Sequence, residues 1–513
     1  MKRLAVAAAL AALFGASRAE AFPGLYFASS NARVTNNATQ IVVMREKTRT
    51  VMSIQPDYQG PVENFVLLLP VPASFTAKDV KTMSRTMFER IELYGAPRLV
   101  EYWEVDPCSS GIDNAPDAGS GVNVTRGFGG QQGAKVEARF AVAEYDVAVL
   151  GAKESSGIVD WLKANKYFVP PGADAYLKPL VESGSRFLAV KLDGKKLLFQ
   201  NGIATYSPIR ISYESDKFTI PLRYGLPDSP GVQEVVINVL ARHQRYEAAN
   251  YPNAFVPTNI DVVDGAKTQP ATMYTAIFDA TVAKTPRAFV TEFAWDATAC
   301  DPCTTPPLMA DELWTFGADQ MGAAPSELAN PATFGSGFVL SRLHARYKKD
   351  ELTEDLVLRA ADPVAGGREE RNATGALDHG AAPASSNAFQ ARYAVRHAWS
   401  GKLSCAKPKR GVWGASASGM RAPTQGALRL PYAPRAALKL STFLREDVPE
   451  LDFTMPVPEA GVPEAGAAPA ASATPQAPKR GCSGCTVGGA TSAGWLTLVP
   501  IALWCVRRRR ERR

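Results

Sequence analysis

Four histidines in 513 residues leave little material for metal or general-base chemistry. None of them (His243, His344, His379 and His397) stands in a His-Glu-x-x-His or other paired-ligand spacing. A Gly-x-Ser-x-Gly elbow is also missing, which removes the common serine-hydrolase signature. No Gly-rich loop runs into Lys-Ser or Lys-Thr, so a phosphate cradle of that type is excluded. Gly127-Phe128-Gly129-Gly130 opens like a dinucleotide fingerprint, but Gln132 occupies the place of its last glycine. No repeat of fixed short period occurs, which argues against a solenoid or propeller. Net charge is scarce where it would count. The formal +7 is held by the ends: residues 1–21 carry +2 and residues 507–513 carry +5, leaving the body neutral. A neutral body does not imply a basic, phosphate-binding face, so nucleic acid is not an expected partner. These absences assign no catalytic residue, no metal and no cofactor.

The ends are informative. Lys2 and Arg3 precede the Ala/Leu-rich run Leu4–Ala16, and Ala19-Glu20-Ala21 supplies the small-x-small pattern that signal peptidase reads. We expect a signal peptide over 1–21, cleaved after Ala21. At the other end, residues 456–480 are rich in Pro and Ala and nearly devoid of large apolar side chains, which makes an extended spacer. Gly481-Cys482-Ser483-Gly484-Cys485 follows, and then Thr486–Val506, 21 residues without a charge. A helix of that length just crosses a hydrocarbon core of about 30 Å. Arg507–Arg510, Arg512 and Arg513 would stay on the cytoplasmic side, which puts the body outside the inner membrane. Spacer, Cys pair, weak membrane helix and Arg cluster together resemble the MYXO-CTERM sorting signal. That resemblance implies recognition by a sorting membrane protease, processing or lipidation at Cys482 or Cys485, and delivery to the cell surface or outer membrane.

Residues 22–455 form the folded body, with a candidate sub-boundary near 245–285. Alternation and β-branched content predict strands at 40–46 and 50–55 as a hairpin, then at 63–69, 98–105 and 136–150. Further strands are expected at 187–192, 208–213, 218–223 and 234–240, whose short connections favour antiparallel pairing among themselves. Helical spacing covers 78–94, 155–166 and 173–182. In the second half, strands are predicted at 289–295, at 337–347 with 354–360 as its hairpin partner, and at 391–400 and 427–430. Residues 109–134 and 361–388 read as loose, Gly-rich loops. The fold class is α+β, a mixed and mainly antiparallel sheet with a few helices.

Four cysteines lie in the body: Cys108, Cys300, Cys303 and Cys405. An even number in an exported chain points to two disulfides with three possible connectivities. The preferred set pairs Cys300 with Cys303 and Cys108 with Cys405; the alternative crosses them. Cys300-Asp301-Pro302-Cys303 also resembles the thioredoxin redox motif, but that chemistry needs a helix N-terminus, and Pro306 and Pro307 interrupt one. A zinc site would draw its remaining ligands from Cys108 and Cys405. Of the carboxylates, Glu101, Glu104 and Asp106 cluster on one strand tip, a spacing that is usually solvated rather than a glycosidase pair. Asp378-His379 reads as a solvated loop, and His344 and His397 as ordinary strand positions.

Several segments carry a second resemblance: Glu63–Pro72, Ala96–Glu104 with Asp106-Pro107-Cys108, Glu144-Tyr145-Asp146, Trp161-Leu162, Pro221-Leu222-Arg223 and Cys300–Cys303. Together they resemble the exported bacterial proteins grouped as domain of unknown function 2330, over most of residues 22–400. The family implies export and carries no activity or catalytic residue with it. The reading of the whole chain is an exported, surface-anchored protein, non-catalytic, with a binding or envelope-structural role and an unidentified ligand. The alternative is an exported enzyme, thiol-dependent or otherwise without a recognisable motif.

Overall fold

The computed structural model describes residues 25–456 apart from 29–34, 60–64, 72–74, 110–138, 152–154, 170–172, 183, 193–195, 197, 201–202, 224–231, 300–304, 323–336, 349, 368–376, 415–424 and 427–438. The chain divides into two units, 1–456 and 457–513. The second lies wholly outside the described residues. So do Ala19, Ala21, Cys300, Cys303, Cys482 and Cys485, the apolar segment 486–506, the expected strand 427–430 and nearly all of the 109–134 loop. No helix among the described residues is long and apolar enough to cross a membrane, which bears on helices alone.

The body is α+β, with strand outweighing helix. Its centre is a large mixed sheet. The middle strands run in the order Phe289–Asp296, Phe338–Lys348, Val232–Arg242, Thr35–Glu46, Arg49–Gln59 and Ile209–Glu214. The expected hairpin is there, closed by Lys47 and Thr48, with Lys47 at φ 52°. The Val232–Arg242 strand lies parallel to Thr35–Glu46 and antiparallel to Phe338–Lys348. A second, five-stranded antiparallel sheet has the order Leu25–Ala28, Phe65–Val71, Arg186–Leu192, Tyr145–Leu150 and Arg139–Val142.

Alternation along these strands builds four layers. Leu67, Leu69, Val147, Leu188 and Val190 of the smaller sheet pack against Ile41, Val43, Met52, Ile54, Val235, Ile237 and Leu343 of the larger one. On the smaller sheet's far face, Leu25, Phe27, Val66, Leu68 and Phe187 are covered by two helices, α2 (Ser155–Ala164) and α3 (Ala173–Glu182). The larger sheet's far face carries α1 (Arg85–Gly95) and α4 (Pro270–Lys284). Ser84 caps α1, its hydroxyl accepting from the Thr86 N–H, and Pro97 follows the helix closely. Helix α4 starts on Pro270 and buries Met273, Tyr274, Ile277, Phe278 and Thr281, one face of a helix. A short helix, α5 (Ala310–Phe316), adds Leu313 and Phe316 to the core beside α1.

A third sheet packs beneath α4. Ile260–Asp261, Arg392–His397 and Arg98–Glu104 lie parallel to one another, with Trp413–Gly414 antiparallel beside the last. A C-terminal strap, residues 439–456, closes this core with Phe443, Leu444, Val448 and Leu451.

Several expectations are corrected. Residues 78–94 are not one helix: Val80–Thr82 pairs with Ile209–Glu214 at the sheet edge, and α1 begins only after its cap. The strands expected around 187–240 do not pair with each other; each joins a partner distant in sequence. Leu356–Ala361 does not form a hairpin with Phe338–Lys348 but pairs with Arg245–Ala248. Parts of 361–388 are ordered, since Val364–Gly366 and Ala382–Pro383 extend the large sheet.

Candidate functional site

Between α1 and α4 the large sheet carries polar side chains where apolar ones would be expected. Arg342 is fully buried and uses all three of its nitrogens. Nη1 and Nη2 donate to both oxygens of Glu92 on α1 at 2.6 and 2.9 Å, and Nε donates to Glu292 at 2.6 Å. His344, two residues on and so on the same face, lies 2.6 Å from Glu292 through Nδ1 and 2.8 Å from Glu234 through Nε2. Tyr274 of α4 donates to Glu292, Gln40 donates to Glu92 at 3.1 Å, and Phe278 stacks on His344 with centroids 3.9 Å apart. Glu292 reaches this face through a bulge. The register shifts between Thr291 and Phe293, so that Glu292 and Phe293 both serve the helix-covered side.

This network is closed to solvent. Arg342, His344 and Glu292 are 0% exposed, and Glu92 and Glu234 no more than 5%. Burial works against the charges of Glu292 and His344, yet their partners prevail. Glu292 is pulled down to about 2 by His344 and Arg342, and His344 is raised by Glu292 and Glu234. The network occupies the seam between the apolar cluster under α1 and the one under α4. Its chemistry is to tie both helices to one sheet.

A second cluster is open. The parallel strands Arg98–Glu104 and Arg392–His397 end together, and at their carboxyl ends the Trp103 and His397 rings stack at 4.9 Å with an interplanar angle of 18°. His397 Nε2 lies 3.2 Å from Glu101, whose other oxygen is 3.0 Å from Lys267 Nζ. Lys267 also contacts Asp264 at 2.6 Å. The short 3-10 turn Asp264–Thr268, which follows the Ile260–Asp261 strand, brings these last two into place. Glu101 and His397 are 296 residues apart in sequence. Glu104, grouped with Glu101 at the sequence level, points to the opposite face. It is buried and accepts from the backbone N–H groups of Trp399 (2.9 Å) and Gly411 (2.8 Å) and from Arg410 (2.8 Å). It therefore holds a loop. Asp106 accepts from the Cys108 N–H at 2.9 Å and shapes a turn.

Cys108 and Cys405 are joined by a disulfide across 297 residues, one bond of the preferred set; Cys300 and Cys303 lie outside the described residues. The bond clips the exposed segment 398–411 to the end of the Arg98–Glu104 strand. Cys405→Ser is expected to lower stability by about 2–4 kcal/mol and to open this segment to protease first. Limited proteolysis with mass mapping checks this; unchanged cleavage kinetics would contradict it.

The remaining histidines are structural. His243 sits in the turn after Val232–Arg242 at φ 53°, its N–H donating to Gly337. His379 is not a solvated loop residue. It is 7% exposed and lies between Glu446 (3.5 Å) and Glu450 (3.4 Å) of the strap. Among the described residues no group of three or more His, Cys, Asp or Glu is placed to hold a metal ion. Residues 305–309 are not helical, and Arg90 of α1 donates to the carbonyls of Pro306 and Pro307.

Comparison with known proteins returns one family. A model described as an uncharacterized protein conserved in bacteria (DUF2330) matches residues 17–359. The match ends at residue 359, short of residue 400, to which the resemblance in the sequence extends. No curated protein and no solved structure matches the chain.

Proposed function

The chain belongs to this uncharacterized bacterial family, and from that premise we propose that it is an exported protein displayed at the cell surface, where it binds rather than catalyses. The observation that carries export is the Cys108–Cys405 disulfide, a bond that persists in oxidising compartments and is rare in the cytosol. The leader-like 1–21, the spacer 456–480 and the charge-free 486–506 with its Arg cluster support the same route: signal peptidase first, the inner membrane in transit, then a sorting protease acting at Cys482 or Cys485. A binding role is supported by where the ionisable groups lie. The densest set is sealed in the core and serves the fold, while the set at the parallel-strand ends is open to a ligand.

Protease shaving of intact cells tests the location. The expected result is release of the body as fragments from residues 22–455, with the cytosol free of the protein. Recovery of all 513 residues from the cytosol would overturn the proposal.

A further inference from the structure

The open cluster combines an aromatic surface with both donors and acceptors. Trp103 and His397 present stacked rings, and among the described residues His397 Nδ1 has no partner, its Nε2 being held by Glu101. The polar groups around the rings are Glu101, Asp264, Lys267 and Arg445, the last exposed on the strap and donating to the carbonyl of Arg396, next to His397 in the chain, at 3.3 Å. Two carboxylates against two cations leave no net field to gather phosphate or metal ions. The groups are also rigidly presented. Glu101, Trp103 and His397 sit on strands, and Glu101 is fixed from both sides by Lys267 and His397.

A ligand that fits must offer an apolar face to a ring and, around its rim, groups that both donate and accept hydrogen bonds. A sugar ring has that chemistry: C–H groups on its faces and hydroxyls on its edge. Resting on the binding role proposed above, we infer that the Trp103–His397 platform is a binding site for a neutral carbohydrate. The ring stacks on the aromatic pair. Its hydroxyls donate to Glu101 and Asp264 and accept from Lys267 and Arg445.

The test is titration of the purified full-length chain in detergent with neutral hexose and N-acetylhexosamine oligosaccharides, read by calorimetry. At least one is expected to bind, and Trp103→Ala to weaken it by about tenfold or more. Because removing Trp103 also touches the strand end, Asp264→Asn serves as the second variant. Its side chain is 59% exposed, so it leaves the fold intact and is expected to weaken binding several-fold. Absence of binding to any of these sugars, tighter binding to polyphosphate than to sugar, or unchanged affinity in both variants would each overturn the assignment. The titration is blind to cellular location and the shaving experiment is blind to ligand, so the two proposals fail separately.

Discussion

A chain ending at residue 359, where the family match stops, is expected not to fold. The cut removes Arg392–His397, the middle of the three parallel strands, and so leaves both Ile260–Asp261 and Arg98–Glu104 without a partner between them. It also removes the strap. Phe443, Leu444, Val448 and Leu451 are each at most 6% exposed and seal the core against Met273, Ile277 and Phe278 of α4. At about 1.5–3 kcal/mol for each fully buried side chain, these four alone represent on the order of 6–12 kcal/mol. That matches the whole stability of a typical domain, about 5–15 kcal/mol. Backbone bonds go with them, including Val263 N–H to Phe443 and Arg445 N–H to Asp261. Circular dichroism with urea titration decides the matter. The chain with its strap intact should unfold cooperatively and the shortened one should show no cooperative transition; a native-like transition in the shortened chain would contradict the argument.

The local parts of this fold are legible in the amino-acid sequence, because their signals are local. The hairpin 35–59 shows β-branched alternation around a charged turn, and α2 and α3 show helical spacing on either side of Pro170-Pro171. What stayed hidden depends on distant partners. Val80–Thr82 continues the apolar spacing of α1, and only its pairing with Ile211–Ile209 makes it a strand. Helix α4 is not among the helices expected from the sequence, although Pro270 and the 273/274/277/278 spacing mark it. The open site was half legible. Glu101 and Trp103 stand in one conspicuous strand, but His397 joins them only because two strands nearly 300 residues apart lie parallel. The sealed network was hidden for a further reason. Glu292 reaches the helix side through a one-residue bulge, and strict alternation would put it on the opposite face from Phe293.

Arg342→Met is expected to lower stability by about 3–5 kcal/mol, because it strands Glu92 and Glu292 as buried charges without their shared cation. Urea unfolding at neutral pH measures this, and a loss below about 1 kcal/mol would mean that the seam tolerates uncompensated charge. The same network sets two pH limits, and the directions differ. His344 has its pKa raised, so the folded state holds the proton more tightly than the unfolded chain does. Its contribution is complete below about 6.5, the ordinary histidine value, and is lost as pH rises through the folded value, at up to about 1.4 kcal/mol per pH unit. Glu292 is lowered to about 2, so its contribution is present above the ordinary carboxylate range and is lost as pH falls towards 2. The two shifts express one shared interaction and are counted once. His344→Gln keeps an amide donor for one of the two carboxylates, Glu292 or Glu234, but has no proton to lose. In that variant the alkaline decline of stability should flatten relative to wild type while the acid limb remains. Parallel curves above pH 7 in the two proteins would show that His344 carries no charge in the native seam, and the ionic account of how α1 and α4 are held to the sheet would then fail with it.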